Sequence, residues 1–320
     1  MSILLTEISK NKNLFKPVIY GIKGAEISDE EKYFFSKNSC LGFILFARNI
    51  IDKQQVKELT KSLRELMNGE VLILIDQEGG RVARLKPPIW KNYPNGQYFA
   101  EIYKDNKQLA CELLKQNFAE IADELVEVGI NVDCAPVLDI LCQKTHQVIG
   151  DRAYGNNPTQ VAKLGRSVCE GLLSKGVYPV IKHIPGHGRG ASDSHLELPI
   201  VSASLAELRA SDFLPFKELN DQKFAMTAHI LFEAIDKKNC ATISPNAIKI
   251  IRQEIGFKNI LMSDDLSMKA LKHSFNTRTK MILEAGCDLV LHCNGEMQEM
   301  QEINSALSEI TDDFWIRFSS

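Results

Sequence analysis

Short runs of apolar residues recur along the chain, separated by stretches in which apolar positions return every three or four residues. Eight runs read as strands: 18–22, 42–47, 71–76, 131–139, 177–184, 224–230, 259–266 and 289–294. Most are apolar at successive positions and do not alternate, the pattern of parallel strands buried on both faces. Helical stretches lie between them. The segment DKQQVKELTKSLRELM starts at Asp52 and sets Val56, Leu59, Leu63 and Leu66 at helical spacing. Residues 106–129 carry Leu109, Leu113, Phe118, Ile121, Leu125 and Val128 in the same way. Residues 159–176 predict a helix opened by a Thr159 cap and closed by Gly176. In SPNAIKIIRQEIG, Pro245 takes the first helical position and Gly256 is the stop. Residues 277–286 and 297–310 add two more helices. Strand alternating with helix eight times predicts an α/β fold, a closed (β/α)8 barrel of the TIM type. The competing open sheet usually carries a Gly-rich phosphate turn after its first strand, and Gly21-Ile22-Lys23-Gly24 is not one.

Two features break the rhythm. Pro136 and Pro179 fall inside expected strands, which must be short, bulged or irregular there. The segment 184–207, IPGHGRGASDSHLELPIVSASLAE, is too long and Gly-rich for an ordinary connection. It follows the C-terminal end of a strand, where barrel enzymes keep their chemistry.

Composition narrows the class. Of 320 residues, 44% are apolar and 25% charged, ordinary for a soluble globular protein. No linker or composition shift marks a boundary, so residues 1–320 are expected to form a single catalytic barrel domain with its long loop at about 184–207. The 38 basic and 41 acidic side chains leave a net charge of −3, without the basic face of a nucleic-acid binder. No apolar run reaches the ~18 residues of a membrane helix. The N-terminal MSILLTEISKNKNLFKP has too short an apolar run for a signal peptide, which predicts a cytoplasmic location. The eight cysteines form no CxxC motif and read as buried reduced thiols, ahead of metal ligands or redox groups.

Polar residues cluster at the strand ends. Asp76 to Arg81 follow the third run, Asp139 closes the fourth, and Gly150-Asp151-Arg152 comes soon after. Lys182 and His183 close the fifth, His229 the sixth, Asp264 and Asp265 the seventh, and His292 the eighth. In a barrel these converge on one rim. Asp264 reads either as a nucleophile or acid/base held at a rigid strand end, or as the cap of a helix over 266–271. Asp265 or Ser267 could take the capping role instead. In Asp193-Ser194-His195 the carboxylate can fix the imidazole tautomer and raise its basicity; loop-internal hydrogen bonding is the other reading. Lys182 and His183 would face opposite ways in a regular strand, so both reach the mouth only if the strand has ended by His183. His187, between glycines, reads mainly as loop structure. Arg81 and Arg84 follow Gly79-Gly80 and read as an exposed helix face; in the other reading Asp76 and Arg81 line the rim, with the glycines letting backbone approach a ligand.

Five stretches together resemble the family 3 glycoside hydrolases, in particular their short bacterial β-N-acetylglucosaminidases of cell-wall recycling. They are ILIDQEGGRVARL (73–85), NVDCAPVLDI (131–140), IGDRAYG (149–155), KHIPGHGRGASDSHLELP (182–199) and LMSDDLSMKAL (261–271), in the family's order. The resemblance implies that Asp264 is the nucleophile and that Asp193 and His195 form a dyad whose histidine is the acid/base. It implies that Asp76, Arg152, Lys182 and His183 hold a terminal N-acetylglucosamine; Arg81 and Asp139 lie in matched motifs without an implied sugar contact. The implied reaction is retaining hydrolysis of muropeptides, β-1,4-linked to anhydro-N-acetylmuramic acid, with no cofactor or metal. The implied partner is a small glycan, with neither nucleic acid nor membrane, and the enzyme is expected to be a monomer. Arg189 adds a charge the family pattern does not explain, and the chain leaves no room for the second domain of longer members. The loop is expected to sample open and closed positions, since Gly186, Gly188 and Gly190 permit it. Two other classes stand beside this one. A metal-dependent barrel hydrolase could use His183, His187, His195, His229 and His292 with Asp264 as ligands. A sugar-binding protein would keep Asp76, Lys182 and His183 without needing Asp264 or His195.

Overall fold

The computed structural model of the protein describes residues 3–192 and 197–319. Its strands are β1 (Lys16–Gly21), β2 (Cys40–Leu45), β3 (Leu72–Ile75), β4 (Val132–Asp133), β5 (Tyr178–Ile184), β6 (Ile200–Val201), β7 (Phe224–Thr227), β8 (Leu231–Phe232), β9 (Ile260–Asp265) and β10 (Leu289–His292). Eight of them close a parallel barrel in the order β1-β10-β9-β7-β5-β4-β3-β2. Each corresponds to one of the eight apolar runs. All residues of β2, β3, β7 and β10 are buried, because helices cover the outside and side chains fill the inside. The remaining two strands form a separate parallel pair, Ile200 opposite Leu231 and Val201 opposite Phe232. That pair lies partly in the long loop and has no counterpart in the sequence reading.

The prolines act differently from one another. β4 covers two residues, not 131–139, because Pro136 lacks a ladder N–H. Beyond it the chain stays tied to β5 by Val180 N, which donates to the Ala135 carbonyl at 3.1 Å, and by an isolated bridge from Val137 to Lys182. Pro179 instead sits inside β5, opposite Asp133, and the strand continues. β5 does not end before His183, as the sequence reading required. Its ladder slips between Lys182 and Ile184, and the Lys182–His183 peptide is cis. The register slip breaks the regular alternation of β5 at this point.

Helix starts follow side-chain caps. Asp52 accepts from Gln55 N ahead of the helix Lys53–Leu66, and Asn106 accepts from Leu109 N ahead of Lys107–Glu127. The latter helix buries Ala110, Leu114, Phe118, Ile121, Ala122 and Leu125, whereas Leu109 and Leu113 are exposed. The next helix, Pro158–Leu173, is capped by Asn157 and not by Thr159, since Pro158 fills the first position, where no N–H is needed. Ser244 caps Pro245–Ile250, which widens into a π-turn at Ile251–Ile255 and stops at Gly256 with φ 83°. No helix forms over 266–271. There Asp265 accepts from Ser267 N at 2.9 Å and from its hydroxyl, closing a turn. The last expected helix ends at Asn304 instead of 310.

Candidate active site

The C-terminal strand ends surround one cavity of ≈ 360 Å³. Asp76, just after β3, Lys182 and His183 from β5, Asp264 from β9 and Arg152 from the loop after β4 all line it. Five of the seven sequence-predicted site residues thus meet in one place. The other two, Asp193 and His195, lie outside the described residues.

A chain of charges crosses the floor. Arg84 Nη2 donates to Asp76 Oδ2 at 3.0 Å, and Lys182 Nζ donates to Asp76 Oδ1 at 2.8 Å. Lys182 also meets Glu78 Oε1 at 2.7 Å, and Arg152 holds both Glu78 oxygens at 2.8 Å each. Lys182 and Glu78 are almost fully buried, so isolated charges there would be prohibitive. Alternation of sign makes the chain viable. Burial pushes the Asp76 carboxyl up, but Lys182 and Arg84 outweigh it and hold Asp76 well below the usual carboxylate range. In the same way burial raises Glu78, while Arg152 and Lys182 bring it down to about 2. Lys182 and Arg152 stay protonated: burial disfavours their charge, and the acids beside them more than restore it. Beneath this chain, Asp133 is fully buried and pushed well above the carboxylate range by burial; its Oδ1 accepts from Gln77 N at 2.9 Å.

A second carboxylate organises the imidazoles. Buried Asp139 accepts from His187 N at 2.6 Å and pairs with His183 Nδ1 at 2.7 Å. Burial raises Asp139, and His183 then pulls it below the ordinary value. The His187 ring lies 5.6 Å from that of His183 and lines the cavity; burial lowers it to about 4, against the pull of Asp139. His187 is therefore more than loop structure. Asp264 accepts from Asp265 N at 2.8 Å through Oδ1. His229 bonds Thr242 and the Asp265 carbonyl, and His292 bonds Glu299, both away from the cavity lining. Among the described residues no group of three or more His, Cys, Asp or Glu is placed to hold a metal ion. No described helix is long and apolar enough to cross a membrane.

Residues 9–312 match the family described as glycosyl hydrolase family 3 N terminal domain. The chain belongs to glycoside hydrolase family 3. Relatives of this family 3 hydrolase include the Beta-hexosaminidase of Nitrosomonas eutropha, 36% identical over 87% of this chain and 80% of that protein. The Beta-hexosaminidase of Neisseria meningitidis is 35% identical over 94% and 82%. Among solved structures, NagZ from Neisseria gonorrhoeae in complex with N-trifluoroacetyl-D-glucosamine superposes with a TM-score of 0.88 at 33% identity, covering 95% of this chain and 88% of that one. A family 3 β-N-acetylglucosaminidase from Paenibacillus sp. gives 0.86 at 30% identity, covering 99% and 61%.

Within the family 3 hydrolase, Glu78 and Arg84 had no role assigned from sequence. Arg84 is on a turn, not an exposed helix face, and reaches Asp76. Arg81 lines the cavity while its Nε meets Asp151 at 2.7 Å. At Gly79 and Gly80 the chain itself comes close. A Cβ on Gly79 would lie 2.2 Å from the Pro94 carbonyl, and one on Gly80 2.5 Å from Asn95 Cβ, so both serve packing of the turn. Gln77 fastens that turn: its buried amide accepts from Arg84 N and Leu85 N and donates to the Leu85 carbonyl.

Proposed function

We propose that the protein is a retaining exo-β-N-acetylglucosaminidase that removes terminal N-acetylglucosamine from muropeptides, where it is β-1,4-linked to anhydro-N-acetylmuramic acid. The observation that carries this reading is the Asp264 carboxylate at the C-terminal end of β9, lining the same cavity as Asp76, Arg152, Lys182 and His183. Family membership and a relative bound to N-trifluoroacetyl-D-glucosamine support it. Asp76, Arg152, Lys182 and His183 would hold the sugar, with the charge chain and Asp139 fixing their directions. Asp264 would attack the anomeric carbon as the glycosidic C–O bond breaks, while protonated His195 gives its proton to the leaving oxygen. Water would then attack the glycosyl-enzyme, His195 taking the water's proton and Asp264 leaving as carboxylate, so configuration is retained. Asp193 would orient the imidazole, whose ordinary pKa near ~6.5 suits both steps. The working unit is the single barrel domain 1–320 with its catalytic loop at 184–207, acting as a cytoplasmic monomer.

The test is to trap the intermediate with a fluorinated N-acetylglucosamine donor and to map the label by mass spectrometry. Label on Asp264 is expected. Label on another residue, or turnover without any adduct and with an inverted first product, overturns the mechanism.

A further inference from the structure

β9 carries Asp264 next to its last residue, beyond the point where its ladder to β7 stops. The two strands pair from Phe224 opposite Ile260 to Met226 opposite Met262, and among the described residues no ladder pair between them follows. On the other side, the pairing with β10 slips between Leu289 and Leu291 before it reaches Asp265. There Leu266 N donates to the Leu291 carbonyl at 2.9 Å, so the segment presenting Asp264 is tied to β10 by backbone. On the β7 side a side chain takes over. His229, just past the end of β7, sets Nε2 at 3.0 Å from the Asp265 carbonyl oxygen.

The partners of the ring decide its protonation. A carbonyl oxygen only accepts, so Nε2 carries a hydrogen. Nδ1 lies 2.7 Å from Thr242 Oγ1, and Thr227 Oγ1 lies 2.9 Å from the same atom. With Thr227 donating to Thr242, and Thr242 to Nδ1, a neutral ring satisfies every link. Were Thr242 to give its hydrogen to the Ala228 carbonyl at 3.1 Å instead, Nδ1 would need a proton as well. That would bury an imidazolium at a site with no solvent exposure, where among the described residues neither nitrogen meets a carboxylate. Burial also lowers the imidazole's pKa, against the pull of Asp264 and the Asp265 carbonyl. Thr242 is itself anchored on the short 3-10 helix Ala241–Ile243, whose Ala241 N donates to the Ile230 carbonyl at 2.7 Å. The relay thus runs from the end of β7 to Asp265, whose own N donates to Asp264 Oδ1 at 2.8 Å.

We propose that His229, as a neutral Nε2–H donor, is a positioning residue that fixes the backbone at Asp264–Asp265 and with it the direction of the Asp264 carboxylate. This inference rests on the proposed reading of Asp264 as nucleophile, and the experiment separates the two. His229→Phe keeps a ring and loses both nitrogens. His229→Gln keeps an amide that can donate to the Asp265 carbonyl and accept from Thr242. Two quantities are read: the rate at which a fluorinated N-acetylglucosamine donor labels Asp264, and the inhibition constant of free N-acetylglucosamine, which reports sugar binding alone. In His229→Phe labelling should slow about a hundredfold while the inhibition constant moves less than about threefold, since the sugar-holding residues come from other elements. His229→Gln should recover most of the rate. Thr242→Val removes the hydroxyl that fixes Nδ1; it should slow labelling about tenfold, and it stands in if His229→Phe does not fold. Long-range proton–nitrogen NMR of the wild type at neutral pH, assigned by difference from His229→Gln, should show Nε2 protonated and Nδ1 bare. An imidazolium or the opposite tautomer overturns the assignment, as does wild-type labelling in His229→Phe or its stand-in. Equal slowing in the Phe and Gln variants, with the inhibition constant rising in step, overturns it too and makes His229 a packing residue. Wild-type label on a residue other than Asp264 overturns the parent reading and leaves His229 nothing to position.

Discussion

Glu78→Gln probes the charge chain at its most constrained link. Glu78 is 5% exposed, pairs with Lys182 at 2.7 Å and accepts two hydrogen bonds of 2.8 Å from Arg152. Glutamine keeps one oxygen and turns the other into a donor facing a cation. Hydrogen bonds to charged groups contribute ~1.5–3 kcal/mol against ~0.5–1.5 for neutral ones, so weakening the two from Arg152 and losing the ion pair with Lys182 costs about 3 kcal/mol. A second route agrees: lowering the carboxyl from 4.5 to about 2 on folding corresponds to about 3 kcal/mol. The sign follows from the depressed folded-state value. The stabilisation is fully present above pH 4.5 and is lost as pH falls toward about 2. At ~2 °C per kcal/mol for a chain of this size, the variant should melt about 6 °C below the wild type at pH 7. The gap should close between pH 4.5 and about 2, as the wild-type carboxyl takes up its own proton. Scanning calorimetry or fluorimetry across that range reads it, the paired comparison cancelling other acid-labile groups. KM for an aryl N-acetyl-β-glucosaminide should rise more than kcat falls, since Lys182 and Arg152 lose their common anchor. Equal melting at pH 7, or a gap that persists into acid, refutes the reasoning.

Two further outcomes are expected. His195→Ala should slow glycosides with poor leaving groups far more than activated aryl glycosides, because only the former need a proton at the oxygen; equal slowing rules out the acid role. Asp139→Asn should lower kcat/KM by roughly tenfold or more, since an amide N–H would face His183 Nδ1, and azide or other external nucleophiles should not rescue it; a wild-type pH profile and KM would remove Asp139 from the positioning of His183.

The barrel was legible because parallel strands covered on both faces must be apolar throughout, and runs such as 42–47 and 71–76 have no other comfortable reading. The edges of elements were less so. Asn157 and Thr159 are both competent caps, and only the position of Pro158 in the turn separates them. At Asp265 the side chain closes on Ser267 before a helix can start, a competition between two local bonds that spacing alone does not rank. Glu78 lay inside a motif noticed from the sequence, yet its meaning comes from Lys182 and Arg152, far along the chain and near only after the barrel closes. Asp139 was placed at a strand end from the sequence, but its two imidazole-bearing partners come from β5 and the loop that follows it.

The first part of the long loop works as a stem of set length. His187 N is tied to Asp139, the Gly188 carbonyl to Thr145 Oγ1 at 2.6 Å, and the Gly190 carbonyl to His146 N at 3.0 Å. Arg189 Nε meets Asp212 at 2.8 Å, and Gly188 lies so close to Ile140 that a Cβ would sit 1.8 Å from its carbonyl. An added or deleted residue between His183 and Gly190 would shift every one of these ties out of phase together. It would also drag the Asp139 carboxylate between His183 and His187. Changes in loop length that keep these ties must fall beyond this stem, and the spacing from His183 to Gly190 serves as a ruler that sets how far from the floor of the cavity the rest of the loop begins.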